Sequence, residues 1–169
     1  PRSVGQMPLY YSRKSTGRPG ADGEDQGSVF WSHYQDEKNT PLYPFGYGLS
    51  YTKFDYSQIK LSSSKMSYDE SIYAEITVTN SGRVKGKEVV QMYIHDRYAS
   101  ATRPIRELKG FQIIELDPDE SKTVIFEIDK SLLEFFSANN RWEAEPGDFD
   151  IYIGTNSDTD IKAGFVLND

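Results

Sequence analysis

The sequence has no cysteine and only two histidines among its 169 residues. Without cysteine there is no disulfide, no thiolate metal site and no thiol nucleophile. A histidine metal centre or a serine–histidine–aspartate triad would have to be built around His33 or His95. His33 lies in a polar aromatic stretch and His95 at the end of an apolar run before Asp96, and both read as ordinary surface or edge histidines. No apolar run approaches the ~20 residues that cross a bilayer. Glycines are frequent between Gly17 and Gly27 but lack the GK[ST] ending of a phosphate loop, and no cofactor is expected. Positive charge is in short supply. Twenty-six acidic against nineteen basic residues leave a net charge of −7, which disfavours nucleic acid and anionic membranes as partners. The opening, PRSVGQMPLYY, has neither an initiator methionine nor an apolar signal region and reads as the interior of a longer chain.

What is present is concentrated in Thr40–Tyr56, TPLYPFGYGLSYTKFDY. Pro41, Pro44, Gly46 and Gly48 exclude a helix or long strand. Leu42, Tyr43, Phe45, Tyr47, Leu49, Tyr51 and Phe54 nevertheless make this stretch strongly apolar, which a solvated linker is not. The segment is expected to press against a folded body and deliver the chain into a β domain. Upstream, residues 1–40 are polar and punctuated. Met7–Tyr11 and Ser28–Tyr34 are candidate short strands, and residues 12–27 read as a long surface loop.

From Lys53 the pattern has period two. Phe54, Tyr56, Ile59 and Leu61 mark a first strand. In Ser71–Asn80, Ile72, Ala74, Ile76 and Val78 face one way and Tyr73, Glu75, Thr77 and Thr79 the other. Val90, Met92 and Ile94 are then opposed by Val89, Gln91 and Tyr93, and RELKGFQIIEL follows, interrupted by Gly110. After the Asp117-Pro118-Asp119 turn, Val124, Phe126 and Ile128 point inward, as do Phe149, Ile151 and Ile153 further on. Ser131–Phe136 reads as one helical turn between sheets, with a turn at Asn139-Asn140. Seven or eight strands spaced by turn signals predict an all-β, immunoglobulin- or fibronectin type III-like sandwich over residues 53–169, preceded by a long, mostly irregular extension.

Carboxylate pairs occur at Asp69-Glu70, at Asp117 with Asp119 and Glu120, and at Asp158 with Asp160. All fall in turns, where aspartate serves local backbone hydrogen bonds, so no catalytic residue is assigned. The Asn156–Asp160 turn lacks the spacing and distal glutamate of a calcium loop, so no metal site is assigned either. The aromatic set Trp31, Tyr34, Tyr43, Phe45, Tyr47 and Tyr51 admits two readings. It is either a carbohydrate-stacking platform of a binding or adhesion module, or a surface covered by the β domain or by a partner domain; the second is favoured because exposed aromatic patches promote aggregation.

Five motifs in fixed order, PRSVGQMPLYY (1–11), TGRP (16–19), PLYPFGYGLSYT (41–52), EVVQMY (88–93) and RPIRELKGF (103–111), together with WEAEPGDFDIYIG (142–154), resemble the C-terminal part of the family 3 glycoside hydrolases. Those are the β-glucosidases and β-xylosidases. The resemblance implies a barrel, an α/β sandwich domain and a fibronectin type III-like domain. On it, residues 1–52 correspond to the tail of the α/β domain and an aromatic connector, and 53–169 to the third domain. The catalytic Asp of that family lies in the barrel and the acid/base Glu usually in the α/β domain, and neither motif is found here. The resemblance therefore implies an accessory module, inactive by itself, that meets oligosaccharide only through the parent enzyme. Its partners would be the barrel and α/β domains, with scope for a homodimer, and the six rings would line a domain interface or a substrate rim, the latter through the 12–35 loop. Its place would be the periplasm or the extracellular space.

Overall fold

The alternation in Ile72–Asn80 (β4) decides the architecture: Ile72, Ala74, Ile76 and Val78 are all buried while Tyr73 and Glu75 are exposed. In this computed structural model, which describes residues 1–14, 34 and 36–168, β4 is the centre of one of two packed sheets. Ser121–Ile128 (β7) pairs antiparallel along one side of it. The other side takes Phe54–Tyr56 (β1) and Lys60–Leu61 (β2) in succession. The expected single first strand is thus broken in two. At the break, the Ser57 amide bonds the Thr77 carbonyl (2.9 Å) and the Thr77 amide donates to the Ser57 hydroxyl (3.0 Å), so a side chain replaces one ladder partner.

The second sheet runs in the order Lys65–Met66 (β3), Lys162–Leu167 (β11), Gly147–Gly154 (β10), Gly86–Asp96 (β5) and Glu107–Leu116 (β6). All its pairs are antiparallel except β3 with β11. The β5–β6 register slips between Met92 and Tyr93: Met92 faces Gly110 but Tyr93 faces Leu108, leaving Lys109 as the bulged residue. A Cβ at Gly110 would stand 3.3 Å from the Phe126 ring, so the glycine lets the sheets close at this point. The core is the interleaving of Val124, Phe126, Ile128 and the β4 set with Val90, Met92, Ile94, Ile114, Leu116, Phe149, Ile151, Ile153, Phe165 and Leu167. Phe149 and Phe165 stack at 5.3 Å. This is the two-sheet, all-β sandwich the alternation predicts.

Two local expectations are corrected. Met7–Tyr11 is irregular rather than a strand, since Pro8 lacks a donor and the Met7 amide is taken by the Tyr34 hydroxyl at 2.8 Å. Ser28–Tyr34 falls outside the described residues except for Tyr34, which is in no strand. The helical turn is Lys130–Leu133 (α1), capped by the Asp129 side chain, and Phe135–Phe136 (β8) then turns extended to pair with Trp142–Glu143 (β9). The cap fixes the start one residue early, and two adjacent aromatics favour the extended form.

Asn80, fully buried at the end of β4, ties the connector to this frame. Its amide donates to the Val84 (2.9 Å) and Leu116 (3.0 Å) carbonyls and its oxygen accepts from the Thr52 hydroxyl (2.6 Å) and the Gly82 amide (3.1 Å). Every polar valence is satisfied, so its burial carries little penalty.

Ile76→Asp would bury an unpaired carboxylate between the sheets and is expected to cost several kcal/mol, roughly 3–5, in urea unfolding. On the opposite face, Glu75→Gln should stay within about 0.5 kcal/mol. Equal losses would show that the assigned strand register is wrong.

Candidate functional site

A sheet face with alternating Val89, Gln91, Tyr93 and His95 would ordinarily meet water. Here Gln91 and Tyr93 are buried, because the N-terminal arm and the connector lie across them. Tyr11 stacks on Phe45 at 4.1 Å and meets the Tyr93 ring edge-on at 6.2 Å. The Gln91 amide donates to the carbonyls of Gly46 (3.2 Å) and Thr155 (2.6 Å), while its oxygen accepts from the Tyr93 hydroxyl (2.5 Å). Burial pushes the Tyr93 phenol up to about 12. The Ser157 amide closes the joint by donating to the Phe45 carbonyl at 2.9 Å.

The local sequence explains the shape. Pro44-Phe45-Gly46-Tyr47 forms a turn, with the Tyr47 amide on the Pro44 carbonyl at 3.1 Å, and Gly46 takes φ of 78° where a side chain would be strained. Upstream, the arm is knotted by polar contacts. Buried Gln6 donates to the Lys38 carbonyl (2.8 Å) and accepts from the Arg2 amide (2.6 Å), and the Arg2 guanidinium reaches the Thr40 carbonyl (3.0 Å). Residues 1–6 and 36–40 are therefore held side by side, with residues 15–33 between them in sequence.

The remaining candidate rings divide by environment. Tyr43 and Tyr47 pair at 5.0 Å and both are exposed. Phe45 gives one face to Tyr11 and keeps the other in solvent. Tyr51 is 102% exposed and its neighbour Leu49 is 89% exposed. Tyr34 is half-buried with its hydroxyl engaged, and Trp31 lies outside the described residues.

A second fastening comes from the Arg97–Arg106 strap between β5 and β6. The Arg97 guanidinium grips Asp150 through two bonds of 2.9 and 2.5 Å. Burial works to raise the Asp150 carboxyl, yet the Arg97 contacts prevail and hold it below its usual value. His95 lies 4.0 Å from the same carboxylate, and its own value is lowered, first by burial. Arg106 stacks on the Tyr152 ring at 4.1 Å and donates to the Ser157 carbonyl. Ile105 donates to the Arg13 carbonyl at 2.9 Å beside a Lys14–Pro104 bridge.

In two of the carboxylate groups a carboxylate serves its turn, the Glu70 carboxylate accepting from the Ser67 hydroxyl (2.5 Å) and Glu120 from the Asp117 amide (2.7 Å); in the third the Asp158 backbone amide donates to the Asn156 side chain (2.9 Å). Among the described residues no cluster of three or more His, Asp or Glu could hold a metal. His33 lies outside the described residues.

The fibronectin type III-like domain family matches residues 88–157. The chain is 49% identical over 167 residues to the periplasmic β-glucosidase of Salmonella typhimurium, which covers 99% of this chain and 22% of that protein. It is 44% identical, over 99% of its length and 20% of the relative's, to a putative β-xylosidase of Formosa agariphila. The structure superimposes with a TM-score of 0.89, at 37% identity, on a crystal structure of β-glucosidase from Listeria innocua in complex with glucose, over 98% of this chain and 23% of that one. The chain carries the fibronectin type III-like domain of the family 3 glycoside hydrolases. It spans about a fifth of the length of the curated relatives it matches.

In this family 3 domain, PLYPFGYGLSYT is thus the turn seated on Gln91, and RPIRELKGF is the end of the strap and the start of β6. Sequence reasoning missed Tyr11, Gln91 and the strap. The one signal for Gln91 was an amide beside a tyrosine at outward positions of a strand otherwise rich in valine.

Gly46→Ala would collide with the Gln91 amide in a backbone region that disfavours a side chain. A loss of about 2 kcal/mol is expected, together with a fall in the Tyr93 phenol from about 12 toward ordinary tyrosine values, read by alkaline absorbance titration. An unchanged titration would mean that the turn does not cover Tyr93.

Proposed function

We propose that this chain is the accessory, structural C-terminal module of a retaining β-glycosidase of the β-glucosidase or β-xylosidase type. The parent would hydrolyse terminal non-reducing β-linked sugars through its barrel and α/β domains. The observation that supports this best is the two-sidedness of residues 42–51. One side is fastened to the sandwich through Phe45 and Gly46, while Leu42, Tyr43, Tyr47, Leu49 and Tyr51 present apolar surface to solvent. Val4, Met7 and Tyr10 add to the exposed apolar area of the arm. Surface of this kind is a docking face, because exposed apolar area left uncovered drives association.

On this reading residues 1–52 are the tail of the α/β domain with its connector, and residues 53–169 the sandwich. The boundary is supported by Thr52, two residues before β1, which is anchored on Asn80. The chain itself would be inactive, since retaining hydrolysis needs two carboxyls ~5–5.5 Å apart across a sugar, and the Glu70 and Glu120 carboxylates bond their own turns. No helix among the described residues is long and apolar enough to cross a membrane. Export together with the parent is supported by a relative named as periplasmic.

The purified chain is expected to release no chromophore from aryl β-glucosides or β-xylosides; turnover that co-elutes with it would overturn the accessory reading. Docking is tested by titrating the chain against separately produced barrel and α/β domains of the parent. Joint Leu49→Asp and Tyr51→Asp substitution should weaken binding at least tenfold, about 1.4 kcal/mol, with an unchanged melting temperature. Undiminished binding would remove the connector from the interface. Saturable calorimetric binding of cello- or xylo-oligosaccharides, lost on Tyr43→Ala or Tyr47→Ala, would instead make the rings a sugar platform.

A further inference from the structure

The end of β5 holds a carboxylate in an unusual position. Asp96 is only 5% exposed, and neither of its oxygens accepts a hydrogen bond of ordinary geometry, although the Tyr98 amide is directed toward them. Its nearest cation is Arg103, whose Nε stands 3.8 Å from the Asp96 Oδ2 and has no acceptor. The same guanidinium donates to Glu107 on β6 at 2.6 Å and lies 4.4 Å over the Phe135 ring of β8. Arg103 therefore has a better partner than Asp96, and Asp96 is left buried with an incomplete one. The strap carrying Arg103 is also the strap that holds the N-terminal arm through Ile105 and Pro104.

We infer that the Asp96–Arg103–Glu107 cluster is a proton-sensitive clasp that sets how firmly the 97–106 strap holds Arg13 and Lys14. The charged groups facing Asp96 are Arg103 from the strap, Glu107 from β6 with Lys109 3.8 Å beyond it, and Glu145 after β9, which accepts from the Ser100 amide at 2.8 Å. Burial, with the two glutamates adding to it, pushes the Asp96 carboxyl up from 3.8 to about 6, and Arg103 only partly opposes this. The direction follows by linkage. A carboxyl raised in the closed state binds more protons there than when the strap lifts and water reaches it. The closed clasp is thus favoured at low pH and loses that advantage as pH rises from about 4 through about 6.

Hydrogen exchange on the intact chain tests this, corrected for intrinsic rates and read at Ser100 and Ile105 against the Ile76 amide in the core. Opening at Ser100 and Ile105 should increase on the order of tenfold between pH 4.5 and 7.5, with Ile76 unaffected. Asp96→Asn, which keeps the shape and removes the proton, should abolish that dependence and keep the strap closed at pH 7.5. A carbon-13 titration of the Asp96 carboxyl in the unsubstituted chain, with its midpoint near that of the exchange profile, supports the same assignment without any variant. Exchange at Ile105 that does not vary with pH, variation that survives in Asp96→Asn, or loosening shared equally by Ile76 would each overturn the clasp.

Discussion

The Gln91 side chain is the joint on which the arrangement turns. A primary amide brings two donors and an acceptor, and burying it on a sheet face is tolerable only if partners are brought to it. The partners come from three separate parts of the chain: the Gly46 carbonyl, the Thr155 carbonyl and the Tyr93 hydroxyl. The first two lie outside β5, and the third is a side chain of β5 itself. The connector, the β10–β11 turn and the strand are therefore linked through one residue, and displacing the connector would leave a buried donor unpaired, at roughly 1–3 kcal/mol. Tyr11, stacked on Phe45, meets the ring of Tyr93, whose hydroxyl bonds this amide, and ring surface beside a buried polar group excludes water and strengthens its bonds.

The same logic recurs at Asn80 and fails in part at Asp96. Asn80 is fully paired and holds Thr52 at the mouth of the sandwich. Asp96 is not, and its cation is shared with Glu107. Satisfied buried polar groups give one preferred arrangement, whereas an unsatisfied one leaves two states close in energy and open to bias by a proton. The chain thus fixes its connector rigidly and its N-terminal arm, through the strap, conditionally.

The sandwich was legible because burial imposes period two. Ile72 to Val78, Val124 to Ile128 and Phe149 to Ile153 each announce an inward face, and the turns at Asp117–Asp119 and Asn139–Asn140 use residues that accept a left-handed backbone, as φ of 61° at Asp119 and 58° at Asn140 bear out. Less was legible where a side chain substitutes for the backbone, as Ser57 does in splitting β1 from β2. The cover over Gln91 and Tyr93 was illegible for a different reason. Alternation tells which face a residue takes, but not what non-local segment arrives to bury it. The rings form one group in the sequence, and the geometry separates them, since Phe45 shares its face with Tyr11 while Tyr43 and Tyr47 turn to solvent. Nothing in the sequence sets Tyr11 apart from Tyr10 beside it.

Fastening one side of the connector also bears on what the other side can do. A free segment bearing Leu49 and Tyr51 would lose backbone and rotamer freedom on docking, at about 1–2 kcal/mol per residue ordered. Here much of that ordering has already happened on folding, because Gly46 and Phe45 are held by Gln91 and Ser157, and Thr52 by Asn80. A surface presented in a fixed shape binds more tightly for the same buried area. The polar network behind the connector therefore acts on the proposed interface from a distance: it does not touch the partner, yet it sets how little entropy remains to be lost when Leu49 and Tyr51 are covered.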